Sequence, residues 1–357
     1  MIIKERIQYI DALRGFTMIL VVFAHVETFM LAMDPGSTLL SSLFLSFRMP
    51  LFFFISGYLV YKGNISWTFK EWTQRIQGKI KTQLMPTFVF GIIYTYIFSL
   101  GNIRDFLYNY HKFGYWFTIC LFGMLLIIYT INLLARYINR NCSKKCVSIA
   151  LLVISLIFFT LKFVYDKSVS FSAIADFFCF HQVCVYFPFF ALGYISSQYK
   201  DKFSHFLDND RMQAIVFILF CIAFYVKYTL DEASFETSLA LLAYRSIQDI
   251  VIGVFGISIV YNFFRKYQSS FTKERKVGRI LQYIGGHTLE IYLLHYFFLK
   301  QLPKIVDCGI MNSIGVPLEF AIVTSLSLLV IGCSLLLSRI ICTNSITSTI
   351  LLGRKSL

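Results

Sequence analysis

The sequence predicts an all-α membrane protein, a polytopic bundle of about ten transmembrane helices. Hydrophobic residues make up 57% of the chain and charged residues only 15%, and the mean hydropathy is +0.67. A soluble domain averages roughly 45–50% apolar and about 25% charged residues. Long apolar runs also recur, each flanked by charges or turn residues. Runs near the roughly 20 residues that span a bilayer form helices, because a backbone in lipid must satisfy its own hydrogen bonds.

The apolar runs predict the individual spans. We expect them near 9–31, 45–62, 82–100, 115–134, 147–165, 178–197, 212–230, 240–262, 281–300 and 316–340. The segments between them are read as loops, and they are too short for a soluble domain. The chain is therefore predicted to be one integral membrane domain, 1–357.

The positions of the basic residues predict the orientation. The net charge of +14 is compatible with a nucleic-acid partner, but the basic residues lie in short loops between spans rather than along a helical stripe. With the N-terminus inside, most of the 33 lysines and arginines fall on the cytoplasmic side, as membrane topology requires. One outer loop is acidic, with Asp231, Glu232 and Glu236. We expect both termini to be cytoplasmic, in the cell membrane, and we expect no nucleic-acid partner.

The nine cysteines do not predict a metal site. Most lie within apolar runs, and the pair Cys142 and Cys146 lacks a second pair of ligands. They are interpreted as structural thiols, and no metal is expected.

The first span carries ionisable groups. Because such groups are costly inside lipid, they are candidates for a functional role. Asp11, Arg14 and His25 face one side of a helix that turns about 100° per residue. Asp11 and Arg14 can pair at i, i+3 near the cytoplasmic face. His25, expected to be the deepest ionisable group of the span, can act as a general base for a hydroxyl. The alternatives are an ion pair that only orients the helix and a histidine that only packs.

Basic residues near the second span are candidates for substrate contacts. Arg48 stands at the outer end of that span, where its side chain can reach the depth of His25. Lys79 and Lys81 lie in the cytoplasmic loop that follows, where they can hold the phosphates of a nucleotide-bearing donor. The tendency of basic residues to lie on the cytoplasmic side of a membrane explains their position equally well.

Two later segments add polar candidates. Trp116 begins the fourth span at the outer interface, where aromatic residues are usually belt residues. The ninth span contains Glu290, which needs a partner or a proton, and His295, a rival to His25 for the catalytic role.

These segments together resemble the acyltransferase-3 family of integral membrane acyltransferases. The motifs are Arg6-x4-Asp11-Ala-Leu-Arg14-Gly followed by His25, then Met-Pro-Leu-Phe-Phe-Phe-Ile-Ser-Gly-Tyr over 49–58, Trp-Phe at 116–117, and the segments 187–194 and 284–295. They occur in the family's order along the whole chain.

The resemblance implies ten helices, a cytoplasmic acyl-CoA donor and transfer to a saccharide or related acceptor, often at the outer face. It implies that His25 is catalytic and that Arg14 is required beside it. One departure concerns the donor loop, since Thr82 and Gln83 stand where relatives often carry a basic residue. We expect no permanently bound cofactor, and acetyl-CoA is the default donor.

The full prediction is a catalytic group of Asp11, Arg14 and His25, with substrate contacts from Arg48, Lys79, Lys81, Trp116, Glu290 and His295. General-base catalysis and a covalent acyl-histidine route both stay open. The alternative function is a polytopic transporter or exporter of polysaccharide or small molecules. Such proteins tend to show internal repeats and helices broken in matching positions, which the sequence does not display.

Overall fold

A computed structural model describes residues 7–63, 67–98, 101–138, 144–167, 172–230, 239–302 and 315–353. Within these ranges the regular structure is helical and no strand occurs, which confirms the all-α prediction. Several residues used above lie outside them: Arg6, Cys142, Asp231, Glu232 and Glu236.

The helices follow the predicted order of the spans. They are α1 Gln8–His25, α2 Leu39–Val60, α3 Phe69–Lys79, α4 Met85–Phe98, α5 Ile103–Tyr108, α6 Trp116–Ile138, α7 Lys144–Lys167, α8 Ser172–Phe177, α9 Phe180–Gln198, α10 Lys200–Asp208, α11 Asp210–Tyr225, α12 Leu239–Lys266, α13 Lys276–Gly286, α14 Thr288–Leu294, α15 Val316–Ile341 and α16 Ser345–Leu352. Among the described residues, seven helices are long and apolar enough to cross a membrane. They correspond to the predicted spans 9–31, 45–62, 115–134, 147–165, 212–230, 240–262 and 316–340. The total of ten spans stays a prediction.

The ninth predicted span, 281–300, is not one helix. It is divided into α13, α14 and a 3-10 turn at His295–Phe298. Between the two helices His287 leaves helical geometry, with φ −116° and ψ 20°. The break follows Gly285 and Gly286, and glycine is the residue that stabilises a helix interior least apart from proline.

The segment after the second span was predicted to be a loop, and it is helix α3. Thr68 begins this helix with a capping box: its hydroxyl accepts from Glu71 N–H, and the Glu71 carboxylate accepts from Thr68 N–H. A Thr-x-x-Glu signal of this kind is readable in sequence, and the polar composition of the segment obscured it.

The described chain forms two compact units, which we treat separately. The first lies within Met1–Phe52, His205–Glu236 and Tyr244–Arg339, and the second within Phe53–Ser204, Thr237–Ala243 and Ile340–Leu357. The boundary passes through α2, so each unit contains one part of that helix.

Close packing of α1 against α13 organises the first unit. A Cβ atom on Gly15 would lie 2.0 Å from the carbonyl oxygen of Leu281, and one on Gly285 would lie 1.9 Å from that of Asp11. Only glycine allows the two backbones to approach this closely, as is common between membrane helices. This contact sets the position of α13, and α14 follows it directly in the chain.

Glycines bring α9 against α2 in the second unit. A Cβ atom on Gly57 would meet the Phe190 carbonyl oxygen at 2.0 Å, and one on Gly193 would meet that of Phe54 at 2.0 Å. Elsewhere in this unit the buried Lys112 donates to the carbonyl oxygens of Leu107, Asn109 and Asp176.

Candidate active site

His25 is the last residue of α1, where the chain changes its helical geometry. The next five residues, Val26–Met30, form a π-helical turn, a local widening that is frequent at functional sites. The imidazole is half-buried, and its Nε2 lies 3.4 Å from the hydroxyl oxygen of Tyr296. Its Nδ1 is buried and has no hydrogen-bond partner among the described residues.

The break in the ninth predicted span places two aromatic side chains beside His25. The ring centroids of His295 and Tyr296 lie 5.2 Å and 5.1 Å from that of His25, both nearly perpendicular to it. Leu302 N–H donates to the carbonyl oxygen of Met30 at 2.9 Å, which holds the end of this segment against the π turn. His25 and His295, treated as rivals in sequence, therefore belong to one site.

A buried carboxylate lies two residues beyond His25. Glu27 is 2% exposed, and its Oε2 accepts a hydrogen bond of 2.8 Å from the hydroxyl of Ser41 in α2. Its Oε1 is buried with no partner among the residues described. The charge of the buried Glu319 in α15 also acts on this carboxylate.

Arg48 belongs to the same group of side chains. Its charge acts on both His25 and Glu27. Its reach to the depth of His25 stays a prediction. Arg48 follows Ser41 by seven residues, or two helical turns, so the two share one face of α2 to within about 20°. The bond from Ser41 to Glu27 thus fixes the helix face that carries the guanidinium.

Glu27 was missed by the sequence reasoning. It lies inside the predicted first span, 9–31, two residues beyond His25. Counting every ionisable residue of the span would have found it. Its contact with Ser41 depends on the turn between α1 and α2 and has no sequence signal.

Asp11 and Arg14 form the predicted ion pair. Arg14 Nη1 lies 3.7 Å from Asp11 Oδ1, and Arg14 Nη2 donates to the Thr288 hydroxyl at 2.9 Å. Thr288 is the first residue of α14, and Tyr296 follows the same helix. Arg14 and His25 therefore contact the same broken segment, and their predicted common face is confirmed.

Glu290 has a partner inside the first unit. It is buried, and its Oε2 accepts a 2.8 Å hydrogen bond from the Ser338 hydroxyl of α15. This bond joins α14 to α15. A contact of Glu290 with substrate stays a prediction.

The remaining predicted contacts belong to the second unit. Lys79 ends α3, and the exposed Lys81 lies in a π turn at Ile80–Leu84. Trp116 stacks on Tyr186 at 5.5 Å, and Tyr186 stacks on Phe53 at 4.9 Å.

The two residues that depart from the family's pattern also lie in the second unit. Gln83 is buried and donates to the carbonyl oxygen of Thr118 at 2.8 Å, while the Thr82 hydroxyl donates to that of Gly78. Gln83 is thus used to join the start of α4 to α6, and neither residue adds a charge to this turn.

The comparisons with known proteins identify the family. Residues 7–339 match the family model described as an acyltransferase domain, that of acyltransferase-3. The chain belongs to the acyltransferase-3 family. No curated protein and no solved structure matches the chain.

Membership of the acyltransferase-3 family makes this chain a membrane acyltransferase. The match includes the candidate site residues of the first unit: Asp11, Arg14, His25, Glu27, Arg48, His295 and Tyr296. Among the residues that the structure describes, no group of three or more His, Cys, Asp or Glu side chains is placed to hold a metal ion.

Proposed function

We propose that this protein moves an acyl group, acetyl by default, from cytoplasmic acyl-CoA to a hydroxyl of a saccharide or related acceptor. The acceptor class is a cell-surface polysaccharide or a lipid-linked glycan. The proposal rests on the imidazole of His25, whose Nε2 lies 3.4 Å from the hydroxyl oxygen of Tyr296. It rests also on the membership of this chain in a family of acyltransferases. A nitrogen in that setting is suited to take a proton from an acceptor hydroxyl.

The proposed reaction needs one base and no covalent enzyme intermediate. His25 Nε2 takes the proton of the acceptor hydroxyl while its oxygen bonds to the carbonyl carbon of the thioester. The tetrahedral oxyanion collapses, the carbon–sulfur bond breaks, and the imidazolium proton passes to the leaving thiolate. The products are the acyl ester and free CoA, and His25 returns to its neutral form.

Arg48 is proposed to stabilise the oxyanion. A fixed cation in a site that excludes water stabilises developing negative charge far more than it would in bulk water. Support comes from the proximity of its charge to His25 and from the Ser41–Glu27 bond that fixes its helix face. The carboxylate of Glu27 offsets part of the cost of holding the guanidinium inside the protein.

The donor is proposed to bind through its phosphates to basic side chains. Arg14 is suited to this role because the planar guanidinium matches the geometry of a phosphate and presents several N–H donors to it. Its side chain is 29% exposed, which leaves part of it accessible. Lys79 and Lys81 are proposed as further phosphate contacts.

The test combines a histidine variant with the product. Cells that carry the protein should add one acyl mass to a surface glycan, which mass spectrometry detects. His25→Gln should lower turnover about 10²–10⁴-fold, because an amide cannot take a proton at neutral pH. Expression, membrane insertion and acyl-CoA binding should persist.

The matched control is His205→Gln, which changes an exposed histidine of the first unit. This variant should keep full turnover. Near-normal acyl transfer by His25→Gln, together with its loss in His295→Gln, would move the base to the ninth predicted span and refute the mechanism.

A further inference from the structure

His295 is held in one tautomer. The residue is completely buried, and its Nδ1 lies 2.9 Å from the carbonyl oxygen of Ile291. A carbonyl oxygen only accepts, so Nδ1 carries the hydrogen and the neutral ring keeps a lone pair on Nε2. That Nε2 is buried and has no hydrogen-bond partner among the described residues.

A second unpaired nitrogen lies in the neighbouring ring. His25 Nδ1 is also buried without a partner in the described part of the chain. Buried polar atoms without partners are rare because each costs about 1–3 kcal/mol. Two of them in adjacent imidazoles call for a functional explanation.

The two nitrogens are not hydrogen-bonded to each other in this structure, but the spacing of the rings leaves room for such a bond. Their centroids lie 5.2 Å apart at an interplanar angle of 88°. A nitrogen–nitrogen hydrogen bond of about 2.9 Å places the centroids of two imidazoles about 5 Å apart. Perpendicular rings can form such a bond, since each plane can still contain the line that joins the nitrogens. Catalytic hydrogen bonds often tighten only when substrate is bound.

We infer that His295 is a positioning residue for His25, and that its Nε2 accepts a hydrogen bond from Nδ1–H of His25. This inference rests on the proposed function of His25 as the base. With the hydrogen on Nδ1, the lone pair of His25 is on Nε2, the nitrogen that faces the Tyr296 hydroxyl. The ring then presents its basic nitrogen to the acceptor and turns its N–H toward His295.

The arrangement follows the logic of a Ser-His-Asp triad, with a neutral histidine in the place of the aspartate. When His25 Nε2 takes the acceptor proton, both of its nitrogens carry hydrogen. The Nδ1–H bond to His295 then stabilises the imidazolium until the leaving thiolate takes the proton. A neutral acceptor is compatible with the positive charge of Arg48, because it does not form a competing ion pair with the guanidinium.

The first measurement uses the unmodified protein. Nitrogen-15 labelling of its six histidines, in nanodiscs at a pH where they are neutral, reports which ring nitrogen carries hydrogen. The His25 signal is assigned as the one lost in His25→Gln. We expect hydrogen on Nδ1 of His25, and hydrogen on Nε2 would overturn the inference without using any variant of His295.

The second measurement compares two substitutions of His295. His295→Phe keeps a ring but removes the acceptor, so kcat should fall about 2–13-fold, the effect of one neutral hydrogen bond. The KM for acyl-CoA should stay unchanged, and the His25 hydrogen should shift toward Nε2. His295→Gln should recover most of kcat, since its amide oxygen can accept in the place of Nε2.

The outcomes separate this inference from the proposed function. Unchanged kcat and an unchanged His25 tautomer in His295→Phe would overturn the positioning role and leave His25 as the base. Full turnover by His25→Gln would instead refute the proposed role of His25 as the base. A purely structural role for His295 would lower stability in both variants without moving the tautomer, and it would also overturn the inference.

Discussion

Ser41 and Glu27 join the end of the first helix to the start of the second. The hydroxyl donates to the carboxylate at 2.8 Å, and both side chains are buried. Since Arg48 shares the helix face of Ser41, this single bond influences how the guanidinium approaches His25. At the scale of the residue, the site depends on a contact between two side chains that a pattern of spacing does not reveal.

Removing the Ser41 hydroxyl should therefore destabilise the protein. Ser41→Ala leaves Glu27 Oε2 without this donor in a buried setting, which costs about 1–3 kcal/mol. The measurement is unfolding of the purified protein in detergent. Turnover should also fall, because Arg48 loses part of its support.

The control for this prediction is Ser46→Ala in the same helix. The Ser46 hydroxyl donates to the carbonyl oxygen of Leu43 in its own helix, at 2.7 Å, and the residue is half-buried. A change within about 0.5 kcal/mol is expected, as for substitutions away from buried networks. Equal stability of Ser41→Ala and Ser46→Ala would show that the contact with Glu27 does not contribute to the free energy of unfolding.

At the scale of the element, the break in the ninth predicted span determines where the side chains of the site lie. An unbroken helix over 281–300 would keep its side chains on a regular spiral, whereas the break at His287 and the 3-10 turn at His295–Phe298 redirect the segment. Thr288 meets Arg14 at one end, and Tyr296 meets His25 at the other. The glycine contact between α1 and α13 fixes where this segment begins.

Gly285→Ala tests the glycine contact. The added Cβ would lie 1.9 Å from the carbonyl oxygen of Asp11, and backbone atoms cannot yield as a flexible side chain can. The substitution should lower the free energy of unfolding by more than typical overpacking does, which is about 1–3 kcal/mol, and folded protein should be largely lost. Size-exclusion profiles and thermal unfolding in detergent measure this.

Gly332→Ala is the matched control, because no packing neighbour in the described part of the chain lies within 4 Å of its added Cβ and the residue is inside helix α15 of the same unit. It should fold normally and gain up to about 1 kcal/mol from helix propensity. Normal folding of Gly285→Ala would mean that α1 and α13 do not depend on a glycine at this point.

The orientation of the whole molecule in the bilayer follows from its basic loops. We expect an N-in, C-in protein with ten spans, and the side of the membrane that His25 faces depends on this. Single cysteines at Phe235 and Lys273 test it, in a background from which the nine native cysteines have been replaced. Position 235 lies outside the described residues, and Lys273 is exposed after α12.

A membrane-impermeant thiol reagent should label Phe235→Cys on intact cells and should label Lys273→Cys only after the membrane is opened. Leaky cells would label both, so a known cytoplasmic cysteine protein serves as the integrity control. The reverse pattern would place the basic loops outside and would invert the proposed access of acyl-CoA.

The sequence by itself determined the helical membrane class and the family, and it selected Asp11, Arg14, His25 and Arg48 as candidate site residues. The class and the candidates follow from regular properties: the length of apolar runs, the cost of charge in lipid and the 3.6-residue helical period. The family follows from the resemblance of the motifs. Only the tertiary structure decided that His295 joins His25, that Glu27 is bonded to Ser41 and that the ninth span is broken. These depend on how separate helices approach one another. Glycines set that approach, because a Cβ atom at Gly15 or Gly285 would lie within 2.0 Å of a carbonyl oxygen of the facing helix, and no local pattern encodes this.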